Sequence, residues 1–229
     1  MPCCLVGSEM CIRDSYKRAS LAFERGQGSW LITKDGDRYL DLGAGIAVNA
    51  LGHSNSELVE ALTYQANKLW HVSNLYEIPE QQRLADLLVE KSFAETVFFT
   101  NSGTESCELA VKMVRKYWYE KGQENRVEII TFEGSFRGRS SAGIAAAGGE
   151  KLTKGFGPML PGFVHLPWSN HAMIEAAINE NTAAILIEPI QGEGGIRCLP
   201  DECLRGLRSL CDKNEILLVV DEVQCGIGR

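Results

Sequence analysis

Two rhythms of apolar and polar positions run along this chain. From residue 97 onward, short runs that are apolar along their whole length are interleaved with stretches whose apolar residues recur at helical spacing. Residues 97–100, 127–132, 183–190 and 216–223 are predicted strands, and residues 104–119, 171–179 and 201–213 predicted helices. In the first of these helices Cys107, Ala110, Val111, Val114 and Trp118 form one stripe. A strand wetted on one face alternates apolar and polar residues, whereas one that is apolar throughout is covered on both faces. The pattern therefore predicts an α/β fold, a mainly parallel sheet with helices on both faces. Ahead of it the rhythm differs. Residues 23–39 read as a short hairpin region, with Trp30, Leu31 and Ile32 in a strand and Asp35 and Gly36 as a turn. Residues 55–69 and 81–91 are predicted helices, carrying Leu58, Ala61, Leu62 and Leu69 and then Leu84, Leu87 and Leu88 on one face.

Between these elements, the Ala- and Gly-rich residues 140–149 indicate close backbone packing or a mobile loop, and Pro158, Pro161 and Pro167 an irregular connection. The last predicted strand is followed by only a few residues, with no crossover helix behind it, so a truncated domain is expected. Residues 1–15 show no fold logic. They crowd three cysteines into an apolar patch without the basic start or the long apolar core of a signal peptide, and are expected to be a foreign or disordered leader. The expected organisation is that leader, a segment at 16–50 contributing to a small domain, and the N-terminal part of a large domain at 51–229 whose remainder is missing.

Composition narrows the function classes. Hydrophobic residues make up 45% and charged residues 23%, enough to bury an ordinary core. The net charge is 23 − 30 = −7, and no basic stripe is present, which argues against a nucleic-acid partner. The longest strongly apolar run, residues 216–220, falls far short of the roughly 20 residues that span a bilayer. No membrane partner and a cytoplasmic location are expected. The eight cysteines form no CxxC pair at metal spacing, so no metal site is expected, and most of the later ones read as small buried hydrophobes.

In a parallel sheet, ligands sit beyond the carboxyl ends of the strands, and the unusual residues fall there. Ser102, Gly103 and Thr104 open a helix directly after a strand. They suit a phosphate, because the N–H groups and the dipole of a first helical turn favour an anion; they equally suit a plain helix cap. Asp221 ends the run 216–220, a costly depth for an unpaired carboxylate. It suits a protonated ring nitrogen, with Gln224 near enough for a phenolic oxygen, or a metal, or a cap. After residue 132 come Phe136, an aromatic able to stack on a planar ring, and Arg139, able to clamp a carboxylate bidentately; Arg137 beside them reads as a solvated surface arginine. Glu188 ends another buried strand, and Glu193 follows in a glycine-rich loop that suits close approach to a ligand or a flexible turn. The dinucleotide GxGxxG and the GxxxxGK[ST] phosphate loop are both absent.

Taken together, residues 41–53 (DLGAGIAVNALGH), 69–76 (LWHVSNLY), 98–105 (FFTNSGTE), 134–139 (GSFRGR), 188–195 (EPIQGEGG) and 219–229 (VVDEVQCGIGR) resemble the class III, ornithine-type aminotransferases of fold type I. The resemblance runs from about residue 16 to the end. It implies pyridoxal 5'-phosphate as cofactor, with Ser102, Gly103 and Thr104 at its phosphate, Phe136 stacked on its ring, Asp221 paired with its nitrogen and Gln224 at its phenolic oxygen. It implies Arg139 as the clamp on the substrate α-carboxylate, Glu193 as a gate, and Val48 and Asn49 lining the substrate pocket. Gly45 falls where ornithine-specific members carry an aromatic residue. With the other matching blocks, which carry more of this reading than Gly45 does, the resemblance implies transamination of N2-acetylornithine with 2-oxoglutarate in arginine biosynthesis, with ornithine, succinylornithine and 4-aminobutyrate as rival amines and a non-catalytic binding module as the rival class. The resemblance implies amino-acid and 2-oxo-acid substrates and a homodimer. It also places the Schiff-base lysine beyond Arg229, so the chain alone is expected to be inactive. Arg137 stands where the family commonly has His or Trp.

Overall fold

The structure, a computed structural model, describes residues 19–168 and 170–228. The expected leader at 1–15 lies outside the described residues. The chain divides into two compact units, Met1–Glu80 and Gln81–Arg229.

The first unit carries an antiparallel meander of β1 (Phe23–Gln27), β2 (Trp30–Thr33) and β3 (Arg38–Leu40). Gly28, at φ +56, closes the β1–β2 turn, a conformation that glycine adopts without a Cβ penalty. Its backbone N–H and carbonyl pair with His53 at 2.9 and 2.8 Å. His53 Nε2 lies 2.7 Å from Asp41 Oδ2, and Asp41 Oδ1 accepts the N–H groups of Gly43 and Ala44. The His53 hydrogen bond, with the two backbone donors, holds the Asp41 carboxyl below its ordinary value. The loop between these anchors contains four consecutive positive-φ residues, Ala44 (+45), Gly45 (+65), Ile46 (+62) and Ala47 (+62). Helix α1 (Ser56–Ala66) follows, its first turn capped by Asn55 Oδ1 accepting from Leu58 N–H.

Helix α2 (Pro79–Lys91) spans the division between the units. Beyond it stand α3 (Gly103–Glu120), β4 (Glu128–Phe132), α4 (Ser141–Ala147), α5 (Glu150–Thr153), β5 (Phe163–Leu166), α6 (His171–Ala177), β6 (Thr182–Ile187), the short hairpin β7 (Ile190–Gln191) and β8 (Arg197–Cys198), α7 (Asp201–Lys213) and β9 (Leu217–Val220). The main sheet has the order β5-β4-β6-β9 and is parallel throughout. Side chains alternate across it, as the pleat requires. Ile129, Ala184 and Leu186 meet Val111, Val114 and Trp118 of α3 on one face. Ile130, Phe132, Ile185 and Ile187 meet Ile174, Leu207 and Cys211 of α6 and α7 on the other. Every residue of β6 is buried, as its unbroken apolar run predicts. Burying an isoleucine fully contributes roughly 2 kcal/mol, so β6 anchors both layers. The indole Nε1–H of Trp118 donates to the Ala183 carbonyl at 2.9 Å, which satisfies that buried polar atom.

Two sequence expectations fail here. Residues 97–100 form no strand: their run is apolar, but they pair with no neighbour among the described residues, and Phe98 is exposed. A strand needs a ladder as well as hydrophobicity. Conversely β5 went unread, because four residues hemmed between Pro161 and Pro167 look like an irregular link. The Ala- and Gly-rich stretch is a buried helix rather than a mobile loop: in α4 every residue from Ala142 to Ala147 is buried, and a Cβ on Gly143 would collide with the Arg137 carbonyl.

Candidate functional site

Three loops leave the carboxyl ends of β4, β6 and β9, and a fourth leads into the N-terminus of α3. These are the loops that carry the sequence candidates, and glycines set how closely they approach. A Cβ on Gly138, which sits at φ +83, would collide with Thr104 Oγ1. One on Gly103 would stand 2.6 Å from Val223 Cγ1, and one on Gly192 would collide with the Gln224 amide. The structure thus joins the candidates 102–104, 136–139, 188–193 and 221–224 in one place. Val48 and Asn49 lie in the other unit, just after the positive-φ turn, with Val48 exposed.

Ser102 is a helix cap: its Oγ accepts the Glu105 N–H at 3.2 Å, while the Glu105 carboxylate accepts the Asn101 N–H at 2.6 Å. Reciprocal capping of this kind fixes the first turn of α3. Gly103 and Thr104 open that turn, where a helix offers N–H groups with no intrahelical acceptor and the positive end of its dipole. Phe136 keeps 41% of its surface exposed despite its size. Arg139 and Glu193 are exposed, and Gln224 is half-buried over Gly192. Glu193 lies on the turn between β7 and β8.

At the centre lies a charged cluster that the sequence reading missed. Arg137, expected as a solvated surface arginine, is instead wholly buried, with no side-chain exposure. Its Nη1 donates to Asp221 Oδ2 at 2.7 Å and stands 3.2 Å from Glu188 Oε2 and from the Phe136 carbonyl. Its Nη2 donates to Ser135 Oγ at 3.4 Å, and its buried Nε makes no hydrogen bond. The correction has a plain cause. Two buried carboxylates at the ends of the adjacent strands β6 and β9 cannot both stay charged without a cation between them, and Arg137 is the cation placed there. Asp221 also accepts the Cys107 thiol at 3.6 Å on Oδ2 and the Val223 N–H at 3.1 Å on Oδ1. Burial pushes the Glu188 carboxyl up to about 7; Arg137 opposes that rise and Asp221 adds to it. Burial, with Asp221 next, pushes the Cys107 thiol up to about 12, so it stays a neutral donor.

Beneath the cluster a second layer braces the loop after β4. Gln191 is fully buried, and its Nε2 donates to the Glu133 carbonyl at 3.2 Å and to Ser135 Oγ at 3.3 Å. Arg197 donates to Gln191 Oε1 at 2.6 Å and lies 5.4 Å over the Trp168 ring. Among the described residues no group of His, Cys, Asp and Glu could hold a metal ion, and no helix is long and apolar enough to cross a membrane.

Known proteins resemble the chain over nearly its whole length. Residues 12–229 match the family model for class-III aminotransferases. The acetylornithine aminotransferase of Rhodobacter capsulatus is 71% identical over 218 residues, covering 95% of this chain and 56% of that protein. The acetylornithine aminotransferase of Brucella melitensis is 57% identical over 94% of this chain and 54% of its own length. The chain thus spans about half the length of the curated relatives it matches. Among solved structures, the N-acetylornithine aminotransferase of Stenotrophomonas maltophilia superposes with a TM-score of 0.80 at 39% identity, over 95% of this chain and 55% of that one. The ornithine aminotransferase of Toxoplasma gondii reaches a TM-score of 0.89 at 27% identity, over 96% and 53%.

Proposed function

The chain belongs to the class-III aminotransferases, and from that premise we propose that the full protein transfers the side-chain amino group of N2-acetylornithine to 2-oxoglutarate, using pyridoxal 5'-phosphate. The observation that carries the substrate reading is the 71% identity to the Rhodobacter capsulatus acetylornithine aminotransferase. Gly45 adds to it, because a residue without a side chain leaves room for an acyl group.

The residues present fit the cofactor. Three donors occupy Asp221, whose ionised carboxylate offers about four acceptor sites, so one remains for a ring N–H. Gly138 and Gly103 bring their loops against Thr104 and Val223 at the start of α3, leaving a small-residue rim beside the donors of a helix N-terminus. Pyridoxal phosphate, when bound, supplies an electron sink for moving an amino group.

Each chain residue then has a task. Gly103 and Thr104 hold the phosphate with N–H groups and a hydroxyl, and Ser102 keeps that turn rigid. Phe136 covers one face of the ring and excludes water from it. Asp221 holds a proton at the ring nitrogen, Gln224 binds the phenolic oxygen, Arg139 orients the α-carboxylate, and Glu193 gates the side-chain pocket. The same reading makes the protein a cytoplasmic homodimer of arginine biosynthesis, an assembly that light scattering checks.

The test is a set of steady-state rates of glutamate formation from 2-oxoglutarate, using the full-length protein with N2-acetylornithine, N2-succinylornithine, ornithine and 4-aminobutyrate. N2-acetylornithine should give the highest kcat/KM. A higher value for another amine removes the substrate assignment, and no turnover with any of them removes the enzymatic one.

A further inference from the structure

One guanidinium serves two buried carboxylates, and that leaves a charge imbalance. Arg137 contributes one positive charge, while Asp221 and Glu188 could contribute two negative ones, with side-chain exposures of 0%, 7% and 8%. Both carboxylates reach the same nitrogen, Nη1, at 2.7 and 3.2 Å. The other groups around the pair are neutral donors: the Cys107 thiol of α3 on Asp221, the Val223 N–H on Asp221, and the Phe136 N–H on Glu188 at 3.4 Å. Among the described residues, Arg137 is the cation within ion-pair distance of both carboxylates. In a site this dry, an uncompensated negative charge is removed by protonation.

We propose that Arg137, Asp221 and Glu188 form one proton-counting unit: while Arg137 alone faces the two carboxylates Glu188 carries a proton, and a cationic ring nitrogen docked on Asp221 makes Glu188 release that proton to solvent. The balance is one for one. The arriving N–H⁺ brings one positive charge, Glu188 passes from COOH to COO⁻, and the cluster goes from +1, −1 and 0 to +2 and −2. Two features favour Glu188 as the proton carrier over Asp221. Asp221 holds the shorter ion pair with Arg137, and it accepts two further hydrogen bonds; among the described residues Glu188 accepts one further, long one from Phe136. The rise of the Glu188 carboxyl to about 7 points the same way. Arg137 is a positioning residue in this unit. It acts on the cofactor through Asp221, and it ties cofactor affinity to a carboxyl that does not itself touch the ring nitrogen.

The inference rests on the proposed seating of the ring at Asp221, and its test separates the two. Cofactor-stripped full-length protein is mixed with pyridoxal 5'-phosphate in weakly buffered solution. Bound cofactor is read by its absorbance after gel filtration, and proton release by an indicator dye, for the wild type and for Glu188→Gln. Near pH 6 the wild type should release about one proton more per bound cofactor than Glu188→Gln, and the difference should vanish above about pH 8. In parallel, the ratio of wild-type to Glu188→Gln dissociation constants should fall by about tenfold per pH unit below neutrality and then level off. Inorganic phosphate alone should release no extra proton. Arg137→Lys should retain the difference and Arg137→Gln should abolish it. If Glu188→Gln does not fold, the carboxyl 13C signal of Glu188 in labelled wild-type protein reports the same deprotonation. Bound cofactor with equal proton counts in both proteins overturns this inference alone. No bound cofactor in the wild type overturns it together with the proposed function.

Discussion

Glu188→Gln is the perturbation whose consequence follows most directly from the geometry. The Glu188 carboxyl is pushed up from its ordinary 4.5 to about 7, first by burial at the end of β6. Between those two values the folded state holds a proton that the unfolded chain has lost. Stability therefore falls as pH rises through that window, and the penalty is complete above about pH 7. At about 1.4 kcal/mol per pH unit, the full penalty is about 3 kcal/mol. Glutamine has the size of the protonated acid and never acquires the charge. The two proteins should thus be almost equally stable at about pH 4, and the variant should lead by up to about 3 kcal/mol at about pH 8. The assay is urea unfolding of the cofactor-stripped protein across that pH range, scored by the midpoint at constant slope. Parallel stability curves, or a wild type that gains on the variant as pH rises, would refute the assignment of a buried, proton-bearing Glu188.

Four further outcomes follow from the packing. Arg137→Leu leaves Asp221 and Glu188 buried without a cation and should cost about 3–5 kcal/mol in urea unfolding at neutral pH. Gly138→Ala forces a Cβ at φ +83 into Thr104 Oγ1; it should cost about 1–3 kcal/mol and weaken retention of pyridoxal phosphate on gel filtration. Leu207→Ala opens a void under β6 and should cost about 3 kcal/mol by thermal or chemical denaturation. In thiol labelling followed by mass spectrometry, exposed Cys198 should react first among the cysteines of the described residues, while Cys107 and Cys211, pushed up to about 12 and about 11 by burial, should react only on unfolding.

Much of this fold was legible because burial imposes strict periods. The unbroken apolar run of β6, the stripe along α3 and the limits of α7 all follow from side chains that must face a core on a fixed repeat. Residues 97–100 and β5 were misread for one reason: hydrogen-bonded neighbours, not hydrophobicity, decide whether a short extended run joins a sheet. The site was legible in its outline because phosphate-like and carboxylate chemistry collects at strand ends. Its centre was not. Arg137 lies beside Arg139 with a glycine between them, and nothing local tells a buried arginine from an exposed one. The available signal was charge counting: Glu188 and Asp221 both end apolar runs, and two carboxylates buried there require a cation. Gln191 and Arg197 carried no signal, since their roles arise only when β7 and β8 fold back under the loop after β4.

On the proposed function, the strand-end cluster seats pyridoxal phosphate through Asp221. The direct measurement is the dissociation constant of pyridoxal 5'-phosphate for the cofactor-stripped full-length protein and for Asp221→Asn, with circular dichroism to confirm that both are folded. The folded variant should bind at least about tenfold more weakly, the loss of one charge-assisted contact worth about 1.5–3 kcal/mol. Equal affinity in two equally folded proteins would contradict it.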